Sequence, residues 1–368
     1  MLGLPGLESD NREGITLRKL SAIIIVIMLV LSTNTGIGTA ASASTKASAS
    51  GGVKLVFAGD ILLDGYVGGQ IAKYGVNYPF LKVAPVLKQA DVAFANLETP
   101  VSTRGQASDK TFVFRSKPGT LAGLNYAGID GVTVANNHIL DYGQTAMLDT
   151  LSYLDKYGIG RTGAGRNIEE AFKPYTKTVN GKKIAVLGVS RVLSGPSWYA
   201  GKNKPGAASA YTAEPLLGKI RQAAKANDFT VVYIHWNQEF KDYPLEESRK
   251  LARQMIDSGA DLIIGSHSHC LMGIEYYKHK PIYYSLGNFV FNRSTRGGEK
   301  TLDSMLANFQ IAGDKLSASI TPVKITRGQP VFMDANYNKK IIQMLDKLSY
   351  NASVDSKGNV SEKNTSAK

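Results

Sequence analysis

Five histidines occur in this chain of 368 residues, and four of them fall in three short blocks. The blocks are Ala135-Asn136-Asn137-His138, Val232-Tyr233-Ile234-His235-Trp236 and Gly265-Ser266-His267-Ser268-His269. Each closes a β-branched or aliphatic run that reads as a buried strand. Imidazole is the commonest side-chain ligand for transition metals. A histidine-poor chain that sets these residues at successive strand ends points to one shared centre. Carboxylates enter from upstream, Asp60 in Phe57-Ala58-Gly59-Asp60 and Glu98 in Asn96-Leu97-Glu98-Thr99-Pro100. Oxygen from Asp60, Glu98 and Asn137, with nitrogen from His235, His267 and His269, suits Mn, Zn or Fe. Two such ions bridged by one carboxylate clamp a phosphoryl or carbonyl oxygen and generate hydroxide near neutral pH.

Taken singly, each block has a plainer reading. Asp after Gly commonly makes a turn. Asn136-Asn137-His138 has the make-up of a turn with helix-capping groups, and His235 alone would be a satisfied core histidine. Asp141 reads as the N-cap of the following helix and not as a ligand. His279, between Lys278 and Lys280, reads as solvated. Cys270, the only cysteine, excludes an internal disulfide and reads as a buried spectator thiol. His267 and His269 are the stronger pair, because alternate residues on an extended segment face the same way. The order of all the blocks together carries the argument.

The elements that must position these groups alternate along the chain. Strands are expected at Val53–Ala58, Val92–Ala95, Gly131–Ala135, Lys183–Val189, Phe229–His235, Leu262–Gly265 and Pro281–Ser285. Helices are expected at Pro79–Gln89, Thr120–Ala127, Thr145–Tyr157 and Glu246–Ser258. In Thr145–Tyr157, Met147, Leu148, Leu151 and Leu154 share one helical face. Such alternation predicts an α/β sheet with helices outside, and ligands of open α/β sheets bind beyond the carboxyl ends of the strands. Asp60, Glu98, Asn137, His138, His235 and His267 all lie at or near those ends. Ser304–Ile311 and Leu316–Ile325 predict a late hairpin, and Ile341–Leu348 a terminal helix.

Arg18 and Lys19 precede an apolar run from Ala22 to Leu31, followed by small residues including Ala41-Ser42-Ala43. That is the shape of a secretory signal or an uncleaved anchor, so residues 1–43 are expected to send the protein outside the cytoplasm, secreted or held on the outer face of the cell membrane. Residues 44–52, rich in Ser and Ala, read as a linker. The main domain is expected over 53–330, and residues 331–368 as the C-terminal helix and a disordered polar tail. The formal net charge is +13. The first 49 residues carry Arg12, Arg18, Lys19 and Lys46 against Glu8, Asp10 and Glu13, a balance of +1 that leaves +12 for the rest. A basic surface attracts nucleic acid, anionic lipid, teichoic-type polymers and polyglutamate alike. The chain carries no nucleic-acid-binding motif.

The order Gly59-Asp60, Asn96-Leu97-Glu98-Thr99-Pro100, Ala135-Asn136-Asn137-His138 through Asp141-Tyr142-Gly143, Ile234-His235-Trp236, His267-Ser268-His269 and Tyr284-Ser285-Leu286-Gly287-Asn288-Phe289 resembles the CapA family of poly-γ-glutamate capsule biosynthesis. That family is similar to calcineurin-like metallophosphoesterases, so the resemblance implies a four-layer α/β/β/α sandwich with a two-cation centre at its strand ends. By matching position it implies Asp60, Glu98, Asn137, His235, His267 and His269 as metal ligands, with Glu98 in the bridging place. It implies His138 and His235 as catalytic imidazoles, His138 nearer the leaving group. Three positions depart from the pattern: Leu62 stands where phosphoesterases carry a histidine, Glu98 is longer than the bridging aspartate, and Asn237 replaces the glycine after His-Trp. The role implied is capsule polymer assembly or export with a membrane-bound polyglutamate synthase. The alternative is a metal-dependent phosphoesterase or amide hydrolase acting on an envelope substrate.

Overall fold

The computed structural model describes residues 52–363. Two sheets organise them. The first has ten strands, with Val53–Ile61 beside Val92–Leu97, then Gly131–Thr133 and Gly160–Thr162, all parallel. On its other side Val53–Ile61 pairs antiparallel with Asp303–Ala312, which returns as Lys315–Thr326. Asn288–Val290 adds a short parallel strand next to Asp60. The second sheet has six strands, with Lys182–Ser190, Phe229–His235, Leu262–Ser266 and Lys280–Tyr283 running parallel.

Alternation along the strands builds the layers. Leu55 and Phe57 point from the first sheet toward Val231, Tyr233 and Ile264 of the second, and this apolar seam joins the sheets face to face. The opposite faces turn to helices. Val56 and Ala58 pack with the helix Gly65–Tyr74, through Val67 and Ile71, and with Gly143–Lys156, through Met147, Leu151 and Leu154. Leu187, Val232 and Ile263 pack with Leu216–Ala226 and Glu246–Asp257. The result is the expected α/β/β/α sandwich. Burying a Leu or Phe side chain contributes about 1.5–3 kcal/mol, so the three apolar layers together hold the strand ends in place.

Several expectations need correction. Pro79–Gln89 is not one helix but a 3-10 turn, Tyr78–Phe80, and a single helical turn, Ala84–Leu87. Pro79 and Pro85 lack the amide hydrogen that a continuous helix would use. The helices Gly65–Tyr74 and Leu216–Ala226 were not anticipated. The first begins among Gly65, Gly68 and Gly69, a poor helix-forming composition. The polar end of the chain is not a disordered tail through its described part. Ala352–Val354 and Asn359–Glu362 pair with each other, and the latter also joins the Lys315–Thr326 strand. The anchored or secreted, extracytoplasmic placement is also corrected. Among the described residues no helix is long and apolar enough to cross a membrane, and the apolar run from Ala22 to Leu31 lies outside them.

Candidate metal centre

The parallel strands of both sheets end at the same edge of the sandwich, and the predicted donors meet there. Asp60 sits in register with Asn96 on one side and Asn288 on the other. Both pairings shift register beside it. A Cβ on Gly59 would lie 1.9 Å from the Gly287 carbonyl oxygen, so only glycine permits this close approach. The irregularity turns Asp60 toward the second sheet, where its Oδ2 accepts from the His267 amide at 3.2 Å. Glu98 leaves the next strand with its amide on the Ile61 carbonyl, 2.9 Å away. Its Oε1 lies 3.5 Å from His235 Nε2 and 4.0 Å from His269 Nε2.

Two donor groups share Glu98. One is Glu98, His235 and His267; the other is Asp60, Glu98 and His269, and in each the ligand atoms lie within 4.8 Å of one another. All five side chains are buried. Neither Glu98 oxygen has a hydrogen-bond partner, and neither has His267 Nδ1. Buried polar atoms are nearly always satisfied, so three orphaned ligand atoms in one place match what a cation would complete. The oxygen and imidazole donor set suits a divalent ion. Asn137 joins the group by placing Oδ1 2.8 Å from His235 Nε2.

Neighbours orient the rings. His235 Nδ1 faces Ser266 Oγ at 2.9 Å and His269 Nδ1 faces Asn288 Oδ1 at 2.8 Å. Asn96 donates to Asp60 Oδ1 at 2.7 Å and receives the Asn136 carboxamide at 3.0 Å. His267 and His269 do not alternate on a strand as expected. Both follow the strand end in a bend, with φ of 92° and 56°, a left-handed backbone that costs non-glycine residues about 1–3 kcal/mol. The bend, not the β pleat, aims both imidazoles inward.

Electrostatics follow burial. Desolvation, with the Glu98 charge adding to it, raises Asp60 to about 6, and desolvation also raises Glu98. Desolvation lowers His235 to about 3 and holds His267 well below the ordinary imidazole range. His269 moves the other way. Burial alone would lower it, but Glu98, Asp60 and the Asn288 hydrogen bond raise it.

His138 stands apart from the donor groups, with Nδ1 2.6 Å from Asp141 Oδ2 and Nε2 4.0 Å from Glu98 Oε1. Asp141 is therefore not the cap of the next helix, Gly143–Lys156, whose N-cap position is Tyr142 and carries no side-chain cap. Its carboxylate also accepts from Lys110 Nζ at 2.6 Å and from the Phe114 amide at 2.9 Å. Sequence reasoning gave no role to Lys110, Asn96, Ser266 or Asn288. Asn96 and Asn288 lie inside quoted motifs, but only the strand register reveals that they flank Asp60. Leu62 is buried near the cleft and supplies no donor. Asn237 has a positive φ of 72°, the conformation that glycine would take there. Cys270 is buried, as expected, and His279 is exposed and pairs with Glu362.

Comparison with known proteins identifies the family. The family model described as "Bacterial capsule synthesis protein PGA_cap" matches residues 54–293. The "PGA biosynthesis protein CapA" of Bacillus subtilis (strain 168) is 35% identical over 297 residues, covering 79% of this chain and 77% of the relative. The "Capsule biosynthesis protein CapA" of Bacillus anthracis is 33% identical over 285 residues, covering 75% and 68%. A solved structure of a phosphatase from Mycoplasma pneumoniae superposes with a TM-score of 0.46 at 16% identity, over 74% of this chain and 94% of that one. Matched through every strand that delivers a donor, the chain belongs to the bacterial capsule synthesis family PGA_cap.

Proposed function

We propose that the chain serves in the biosynthesis of a poly-γ-glutamate capsule polymer and does so around two divalent cations, Mn, Zn or Fe. The two relatives carry PGA and capsule biosynthesis in their names. The observation that supports the site is Glu98, whose buried, partnerless oxygens belong to both donor groups. Asp60, Glu98 and His269 would hold one cation. Glu98, His235 and His267, with Asn137 beside them, would hold the other. Cations bound there supply Lewis-acid polarisation and an activated water. Burial keeps His235 and His267 neutral and so keeps their lone pairs available. Ser266 and Asn288 fix the ring orientations, the usual task of groups behind metal ligands. His235 is fully buried, which fits a ligand and not an acid that touches substrate. The partners of this reading are the polymer and components of a polyglutamate synthase.

A second reading, a metal-dependent hydrolase of a phosphoester or an amide, is favoured by one observation. His138 is held through Nδ1 by Asp141 and lines the cleft, where Nε2 can give a proton to a leaving group.

Elemental analysis of the purified chain tests the site. About two divalent cations per chain are expected, with at least one lost in Glu98→Gln. Incubation of labelled poly-γ-glutamate with the loaded chain then separates the two readings, since chain shortening that disappears in His138→Ala belongs to the second. A cation-free chain whose Glu98→Gln variant behaves identically would remove both.

A further inference from the structure

A cleft of about 640 Å³ leads from Asn137, His138 and His269 to the surface. Its outer part carries two kinds of side chain. Tyr66 and Phe112 are aromatic yet 44% and 56% exposed. Exposed apolar surface lining one cleft is a mark of a ligand-binding groove. The same cleft is lined by Arg293 and Arg296, whose side chains are 57% and 65% exposed. Their partners are weak surface pairs: Arg293 with Glu299 at 3.1 Å, and Arg296 with Glu239 at 3.4 Å. Exposed pairs of this kind hold little free energy, and each uses Nη1 of its guanidinium, so both arginines can take a further carboxylate beside the existing partner. The two acids of the cleft are already engaged. Glu239 pairs with Arg296, and Asp64 accepts from the Arg115 amide at 2.8 Å. Lys110 is likewise committed to Asp141.

Aromatic carbon with guanidinium in the same cleft asks for a ligand with both methylene and carboxylate along its length. A γ-linked glutamate chain has that make-up: each repeat puts two methylenes in the main chain and one carboxylate directly on it. An α-linked chain has the same atoms, but its methylenes lie in side chains that end in the charge. We propose that the cleft binds a short run of γ-linked glutamate, with carboxylates on Arg293 and Arg296 and main-chain methylenes against Phe112 and Tyr66, and so leads the polymer to the metal centre. This rests on the poly-γ-glutamate reading and adds which surface recognises the polymer and how it tells one linkage from the other.

The test is a fluorescence anisotropy titration of the full chain, with Mn²⁺ present, using a fluorescein-labelled γ-linked glutamate oligomer. Arg293→Gln/Arg296→Gln is expected to weaken binding about tenfold and to flatten its salt dependence. Phe112→Ser is expected to weaken it several-fold without changing the salt dependence. Unlabelled α-linked polyglutamate should compete about tenfold less well than the γ-linked oligomer. All three positions are exposed, and thermal unfolding unchanged from the parent confirms that the variants fold. Wild-type affinity in the double arginine variant overturns the proposal, and so does equal competition by the α-linked polymer. More effective competition by inorganic polyphosphate overturns it in favour of a phosphate polymer. Failure of the metal-centre reading registers elsewhere, as cation content unchanged by Glu98→Gln, and leaves this binding measurement intact.

Discussion

Glu98 stands between His235 and His269, its Oε1 3.5 Å from the Nε2 of one and 4.0 Å from the Nε2 of the other. No hydrogen bond satisfies either of its oxygens. An unsatisfied buried acceptor costs roughly 1–3 kcal/mol. Glu98→Gln should therefore have two opposite effects. The cation-free variant unfolds at the same or higher temperature than the cation-free parent, while its cation content falls by at least one per chain. Calorimetry in chelator beside elemental analysis reads both. A variant that keeps its full cation content removes Glu98 from the bridging place.

Chelation should be felt by the whole fold. A ligand that binds only the folded state stabilises it by about 4 kcal/mol at a thousand times its dissociation constant. Adding a chelator is expected to lower the unfolding temperature by several degrees, and re-adding Mn²⁺ to restore it. An unfolding temperature indifferent to both shows that no cation is held in the folded state.

Cation affinity should fall as the pH drops, and the sign comes from the protons that compete. Asp60, raised to about 6 by burial and the Glu98 charge, is ionised above that pH and protonated below it. His269, raised by Glu98 and Asp60 against its burial, sheds a proton when a cation binds, so it contributes in the same direction and at higher pH. His235 and His267 are held neutral by burial and do not compete in this range. Mn²⁺ affinity is expected to weaken about tenfold for each pH unit below 6 for each competing proton. Equilibrium dialysis between pH 5 and 8 measures it. An affinity flat to pH 5 contradicts the assignment of Asp60 as a ligand.

Asp141→Ala should destabilise the fold independently of any cation. The substitution removes the carboxylate 2.6 Å from Lys110 Nζ, which keeps the Asn137 carbonyl, and removes the acceptor of the Phe114 amide. Lys110 is half-buried and keeps an acceptor, so the loss expected is about 1–3 kcal/mol, the cost of leaving the Phe114 amide and His138 Nδ1 without their partner. Urea unfolding in the presence of chelator is the measurement, and a change below about 1 kcal/mol would mean that these groups readily find water instead.

Gly59→Ala should damage both stability and the site. The added carbon would stand 1.9 Å from the Gly287 carbonyl oxygen, so two backbones must separate beside Asp60. Overpacking of this kind costs about 1–3 kcal/mol. Weaker Mn²⁺ binding should accompany it, and normal binding in a destabilised variant would show that Asp60 tolerates the shift.

Much of this arrangement was legible in the chain. Hydrophobic runs marked the central strands because parallel strands are buried on both faces, and the donors followed those runs directly. What was not legible had physical reasons. Asn96 and Asn288 acquire their roles only through strand register beside Asp60, which no local pattern encodes. Asp141 precedes a helix and so imitates a cap, while its true partners, His138, Lys110 and Phe114, include residues 27 and 31 positions away. The His267–His269 bend looked like strand continuation because left-handed backbone leaves no trace in side-chain type. The closing strands Ala352–Val354 and Asn359–Glu362 are short and lie in a polar stretch, and only their pairing and the burial of Ala352, Val354 and Val360 reveal them as strands.

Asp60, Glu98 and Asn137 ride on one sheet, while His235, His267 and His269 ride on the other. The Tyr233 hydroxyl spans the seam to the Ala58 carbonyl at 2.6 Å. Ligand spacing is thus a gauge of how the two halves of the molecule are aligned. A slip between them of a fraction of a bond length would detune every donor pair at once. Substitutions at seam positions such as Phe57 or Phe309 are therefore expected to change cation binding, although neither side chain is among the donors.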